Sequence, residues 1–505
     1  MTYDTSGTSG STGSTGSTGS SLGDADAIVV GAGPNGLAAA VTLARAGLDV
    51  LVIERSAMIG GGARSAELTL PGFIHDVGSA VHPLALSSGF FRRFELSRRI
   101  DLQVPEASYA HPLDGGRAAV AWRELDRTAD GLGVDGPAWR RLFAPLVAHA
   151  QEVAQFTGSA LLRLPPHLRT ALRFGLRALE QGTPLWSSRF RGEDAPALLT
   201  GVAAHSIQPM PSLGTAGVAL ALGTAAHAAG WPIPVGGSQA IVDALADDLR
   251  AHGGRIITGV HVTSLDELPR ARVVLLDTSP KALLEIAGDA LPDAYRRRLS
   301  AYRYGNGVAK VDFALDAPVP WAATELADVP TLHLGGSREE IAYGELEVAT
   351  GRHATSPYVL VAQPSVIDAT RAPAGKHTLW AYTHVPAGST IDPTEAVVRQ
   401  IERFAPGFRD VIAASAASSA AQMEHGNPNY LGGDIAIGEP TLTQLVARPV
   451  LSRDPWRTPL PGVYLCSSAT PPGPGVHGLA GAYAARSALR SSFGIRRLPF
   501  LGIDR

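Results

Sequence analysis

Four apolar residues in a row, Ala27 to Val30, run straight into Gly31, Gly33 and Gly36, and the chain then reads as helical from Pro34 to about Ala46. Such a short, wholly apolar run is the pattern of a strand buried on both faces of a parallel sheet. The three glycines differ in what they allow. Gly31 permits the tight turn, Gly33 clears space where backbone meets a diphosphate, and Gly36 lets helix and strand pack closely. Pro34 and Asn35 open the helix, whose free N–H groups and positive dipole end attract phosphate, and Gly47 stops it. A second apolar strand, Val50 to Ile53, ends on Glu54. That carboxylate can accept both hydroxyls of a ribose and would repel a 2′-phosphate. The stretch from Asp24 to Arg55 therefore predicts a dinucleotide site.

The residues that follow bear on which dinucleotide. Met58 to Arg64 place Gly60, Gly61 and Gly62 where a nicotinamide-binding domain would enter its next helix. Backbone there can lie along a diphosphate and a ribityl chain. The tract from Glu54 and Arg55 through Gly61 and Gly62 to Arg64 resembles the FAD-binding opening of the phytoene desaturase and amine oxidase superfamily. At the other end of the chain, Gly462 to Cys466 reads as a strand, Ser467 to Gly475 as a Pro- and Gly-rich turn, and Val476, His477 and Gly478 open a helix running to about Leu489. This unit resembles the C-terminal FAD signature of phytoene desaturase-like enzymes. The two motifs in this order imply FAD rather than NAD, with Ser468, Gly475, Val476 and His477 closing on the flavin and Val260 on a strand that returns to the cofactor domain. One departure stands out: many relatives carry Gly-Asp or Gly-Ala where this chain has Ser467-Ser468, so hydroxyls would have to replace a carboxylate at the ribitol.

The expected fold class is α/β, a Rossmann-type FAD-binding domain built from discontinuous segments with an interleaved α+β substrate domain. The expected segments are a disordered Ser/Thr/Gly-rich extension (1–23), FAD-binding parts at 24–90, 233–300 and 456–492, a mostly helical substrate or cap region at 91–232, a substrate domain with an antiparallel sheet at 301–455, and a tail at 493–505. A length of 505 residues allows so large a core. The net charge of −3 leaves no footprint for nucleic acid, and the single cysteine, Cys466, excludes an intrachain disulfide or a dithiol relay. Cys466 reads as a small buried hydrophobe, with a thioether to flavin as the alternative. Residues 1 to 23 lack the basic start and apolar core of a signal peptide, which points to the cytoplasm. No metal site is expected.

Between these motifs lie the candidate substrate residues. The hairpin of Glu67 to Asp76 leads into DVGSAVHP, whose small residues suggest backbone close to a flat partner. In the resembled family this region passes beside the isoalloxazine ring, which makes His82 a candidate catalytic group against the plain reading of a core histidine. Lys281, Lys310 and Lys376 are the only lysines. Lys310 sits in the alternating strand Gly307 to Leu315, which looks like the strand of flavin amine oxidases whose lysine holds a water at flavin N5. The span from Asp194 to Asp243 holds no internal charge; it predicts an apolar cavity wall or a buried helix pair, and includes Trp231. Trp380, Tyr382 and His384 alternate onto one face of a strand and could wall a substrate pocket or pack as a core. In Leu168 to Gln181 four leucines, Leu168, Leu172, Leu176 and Leu179, share a face beside Arg169, Arg173 and Arg177. Such a helix either lies on an anionic membrane surface or covers a core.

The resulting expectation is an FAD-dependent oxidoreductase that takes hydride from a lipophilic, carotenoid- or isoprenoid-like substrate to flavin N5, with oxygen or a quinone as acceptor. No second dinucleotide motif is present for a nicotinamide partner. Amine oxidation, and a redox-neutral isomerase or flavin-scaffold binding protein, are the alternatives.

Overall fold

The computed structural model describes residues 23–503, so the Ser/Thr/Gly-rich opening lies outside the described residues except for Gly23. Five parallel strands form the first sheet, in the order Val463–Leu465, Val273–Leu276, Ala27–Val30, Val50–Ile53 and Arg255–Ile257. All four residues of Ala27–Val30 are buried, and they pair in register with Val273–Leu276 on one side and Val50–Ile53 on the other. The predicted apolar runs thus form the centre of a doubly wound sheet. Helices Pro34–Ala44, Gln239–Ala251 and Leu479–Ser492 cover one face, while Pro280–Ala287 and Asp293–Ser300 cover the other. Segments from both ends and the middle of the chain build this one layer system. That arrangement is the Rossmann-type α/β fold.

A second, seven-stranded sheet carries the order Ile412–Ser418, Gly307–Leu315, His377–Val385, Val359–Ala362, Thr331–Leu334, Ala107–Leu113 and Arg117–Trp122. Helix Thr394–Phe404 packs an apolar stripe on one of its faces. Over the other lie helices Gly136–Val147, Asp194–Ala203 and Leu213–Ala228, which form a further core around Trp139 and Phe143. The region after Arg92 is therefore not simply helical. Ala107–Leu113 is buried throughout and returns as Arg117–Trp122 through Asp114-Gly115-Gly116, both glycines at positive φ. That turn was the local signal for a hairpin.

Ser238, just before helix Gln239–Ala251, donates its hydroxyl to Ser79 O at 2.6 Å. Two further local readings change. The returning strand is short and ends at Ile257, so Val260 lies in the loop beyond it. The leucine face of Leu168–Gln181 covers no core: Thr170, Phe174 and Gln181 are buried, whereas Leu168, Leu172, Leu176 and Leu179 are exposed. Arg177 turns inward and donates to the carbonyls of Leu142 and Arg141 in the middle of helix Gly136–Val147, where Pro145 has no N–H to offer the Arg141 carbonyl. Among the described residues no helix is long and apolar enough to cross a membrane.

Candidate functional site

Both FAD-like motifs open onto the same space. A cavity of about 990 Å³ is lined by Gly31, Gly33, Pro34, Asn35 and Glu54 from the start of the chain and by Ser468, Gly475, Val476 and His477 from its end. Arg55, Gly61, Gly62, Arg64 and Val260 line it as well. Gly36 stands just behind the wall, where a Cβ would fall 2.1 Å from Gly31 O. A Cβ on Gly61 would fall 3.2 Å from Gly33 Cα, so the two glycine turns lie back to back and only glycine lets the backbones form this cradle. The Glu54 carboxylate is oriented by Ala32 N and Ser56 N, each at 2.8 Å. Gly33 caps the first helix with no side chain, and no acidic residue of the helix itself sits in its first turn, so its free N–H groups and positive end face the cavity, with Asp277 on Gly36 N behind them. These features fit an extended dinucleotide.

The closing motif is fixed from within. His477 accepts from Leu479 N through Nδ1 and donates through Nε2 to Gly473 O, while its own carbonyl accepts from Ser88 Oγ at 2.6 Å. Burial pushes its ring down to about 4, which keeps it neutral. Ser467 spends its hydroxyl on Thr278 O, so Ser468 is the serine of this pair that reaches the cavity. Cys466 is wholly buried and not part of the lining, which argues against a thioether.

Two cofactor-side groups had no clear sequence signal. Asp277 follows the strand next to Ala27–Val30, and its Oδ2 accepts from Gly36 N at 2.9 Å inside the glycine turn. Burial, together with the charge of Glu54, pushes its carboxyl up to about 7. Tyr430 comes from the turn-rich NPNYLGGD loop; its hydroxyl would lie 2.2 Å from a Cβ on Gly62, and Asn429 of the same loop accepts from Ser279 N.

Beyond the cradle the lining becomes apolar and aromatic. Lys310, His82, Trp231, Trp380 and Tyr382 all line this part. His384 does not. It shares their sheet face, but helix Arg338–Ala349 covers it, and its Nδ1 pairs with Glu345 at 2.5 Å against the ring of Tyr358. Its alternation was read correctly and its depth was not. His82 is held through Nε2 to Ser238 Oγ at 2.8 Å, and burial lowers it to about 4. Lys310 is buried and paired with Asp312 on the same strand face. Burial outweighs their attraction in both groups, lowering the lysine and raising Asp312 to about 6. Behind them Asp76 is held below the usual carboxylate range against its burial, chiefly by Arg371 at 2.5 Å, with Ser238 N and Ser65 Oγ also donating. Among the described residues, the acidic lining is limited to Glu54, Asp277 and Glu285, all on the nucleotide-sheet side. No cluster of ligands able to hold a metal occurs among them.

The profile of the NAD(P)-binding Rossmann-like domain family matches residues 29–94. A putrescine oxidase variant superposes over 92% of this chain and 98% of its own, with a TM-score of 0.61 at 17% identity. The chain shares the fold of an amine oxidase. In sequence it is 28% identical to the rat pyridine nucleotide-disulfide oxidoreductase domain-containing protein 2, over 92% of this chain and 93% of that protein. It is 26% identical to the phytoene dehydrogenase of Streptomyces griseus, over 77% of each chain.

Proposed function

We propose that this protein is an FAD-dependent oxidoreductase acting on a neutral, lipophilic substrate, as in desaturation of a carotenoid- or isoprenoid-like chain. The observation that carries the reading is the single cavity, glycine-lined at one end and apolar at the other. FAD bound along the cradle supplies the hydride acceptor. The chain's own part is to position and to shield: the two glycine turns admit the diphosphate, Gly475 to His477 close the far side, and Trp231, Trp380 and Tyr382 exclude water from the reacting bond. Lys310 offers an ammonium group to the cavity for orienting a water or stabilising negative charge. The acidic lining sits at the nucleotide side, so the apolar walls offer an ammonium group no carboxylate partner, which favours a neutral substrate over a charged amine. The word disulfide in the rat relative's name does not transfer, because a single cysteine cannot form the dithiol pair. Oxygen or a quinone is proposed as acceptor, and the cytoplasm as the location.

Mass spectrometry of the cofactor released from purified protein, followed by anaerobic mixing with polyenes and amines, tests the reading. Flavin bleaching by polyenes supports it. Release of a nicotinamide, bleaching by amines alone, or isomerised product with the flavin still oxidised refutes it.

Asp277 makes the cofactor site pH-sensitive. Below about 7 its carboxyl is neutral; above that it is an anion within the phosphate turn. FAD affinity is therefore expected to fall severalfold from about pH 6 to about pH 8.5, because the ionised form opposes the diphosphate. D277N should flatten this dependence in fluorescence titrations of FAD.

The mouth of the cavity is proposed to face a lipid surface. Leu172, Leu176 and Leu179 line the cavity and are also at least half exposed, Leu172 at 65%, with Arg169 and Arg173 exposed beside them. Burying such leucines in lipid is worth about 1.5 kcal/mol or more each. L172E/L176E is expected to abolish co-flotation with phosphatidylglycerol-containing vesicles while the thermal midpoint holds.

A further inference from the structure

The far end of the cavity holds a polar feature inside apolar walls. His205, from the uncharged span, lines the cavity, and its Nε2 lies 2.9 Å from Nε2 of His333, which is fully buried. One ring must donate and the other accept. His333 Nδ1 is buried with no partner. A buried N–H without an acceptor is rarer than an unmet lone pair, so the proton is best placed on His333 Nε2, pointing at His205. His205 then carries its own proton on Nδ1, where no protein acceptor engages it. Thr331 lines the same end; it is 1% exposed, and its Oγ1 has no hydrogen-bond partner.

Sheet register fixes where this end lies. Lys310 pairs with Tyr382, Tyr382 with Leu360 and Leu360 with His333, so the four residues form one row across four strands. Three strand spacings put His333 about 14 Å from Lys310. The rings of His205 and His333 are both held well below their ordinary range by burial, to about 3 for His205. Neither ring offers a charge to a carboxylate.

We propose that His205, oriented by His333 and joined by Thr331, is a subsite that hydrogen-bonds a neutral hydroxyl or carbonyl oxygen at the end of an apolar substrate, beside a strand that lies three strand spacings from Lys310. The subsite rests on the reading of this cavity as a substrate chamber, and it narrows the substrate class to chains with an oxygenated end group.

Calorimetric titration of the FAD-loaded protein with decan-1-ol and with decane tests the proposal without requiring turnover. The measure is the ratio of the alkane's dissociation constant to the alcohol's, compared between wild type and variant so that the cost of desolvating the hydroxyl cancels. H205L should lower this ratio about five- to tenfold, the worth of one neutral hydrogen bond in an apolar site. T331V should lower it as well, and H205Q, which keeps a donor, should restore much of it. An unchanged ratio in H205L overturns the proposal. If the ratios behave as expected while no substrate bleaches the flavin, the redox reading fails and the subsite stands. If the flavin bleaches and H205L leaves the ratio unchanged, the subsite alone fails.

Discussion

Gly481→Ala is expected to leave a protein that no longer retains FAD and that melts several degrees lower. Helix Leu479–Ser492 crosses helix Pro34–Ala44 at this residue, and an added Cβ would stand 1.8 Å from Asn35 O. Both partners are backbone, so neither can rotate aside. Relief requires the helices to part, which costs about 3 kcal/mol or more and widens the cradle at Asn35. Gly131→Ala serves as the control, because nothing lies within 4 Å of a Cβ added there. Thermal melting and the flavin-to-protein absorbance ratio read the result. Full flavin content and an unshifted midpoint in Gly481→Ala would show that the two motifs do not depend on each other.

Lys310→Met is expected to slow anaerobic flavin reduction by about a hundredfold, the usual effect of removing one positioned donor. The variant should still fold. Asp312, raised to about 6 by burial, can take up a proton when its partner is lost and remain buried as a neutral acid. His75, which lies 3.6 Å from Asp312, is lowered to about 3 and brings no competing charge. Stopped-flow bleaching of the flavin absorbance, measured at matched FAD content, separates slower chemistry from lost cofactor. A bleaching rate equal to wild type would remove Lys310 from the reaction. D312N should fold and keep a measurable rate, because Lys310 is retained.

What could be read from the sequence was whatever a local pattern encodes. The glycine spacing and the apolar runs located the cradle, and Gly307–Leu315 was bounded to the residue because its alternation is uninterrupted. Period-two alternation also put Trp380, Tyr382 and His384 on one face, but depth along that face depends on what packs above it, and Glu345 on a distant helix decides that. Asp277 was missed for a related reason. Only the pairing of Val273–Leu276 with Ala27–Val30, a contact between distant segments, carries the next residue into the glycine turn. His205 and Thr331 had no signal at all, since a lone histidine in an apolar run and a threonine at a strand start are common. The leucine helix misled the core-covering reading because periodicity shows that an apolar face exists and not what meets it.

The placement of Val463–Leu465 at one end of the parallel sheet, hydrogen-bonded only to Val273–Leu276 within it, has a consequence for biosynthesis. A nascent chain can assemble the other four strands first, and the wall from Ser468 to His477 is synthesised after all of them. Cofactor capture cannot precede that wall, and a stop codon before residue 463 would yield a polypeptide with an intact first motif and no closing wall for what that motif recognises.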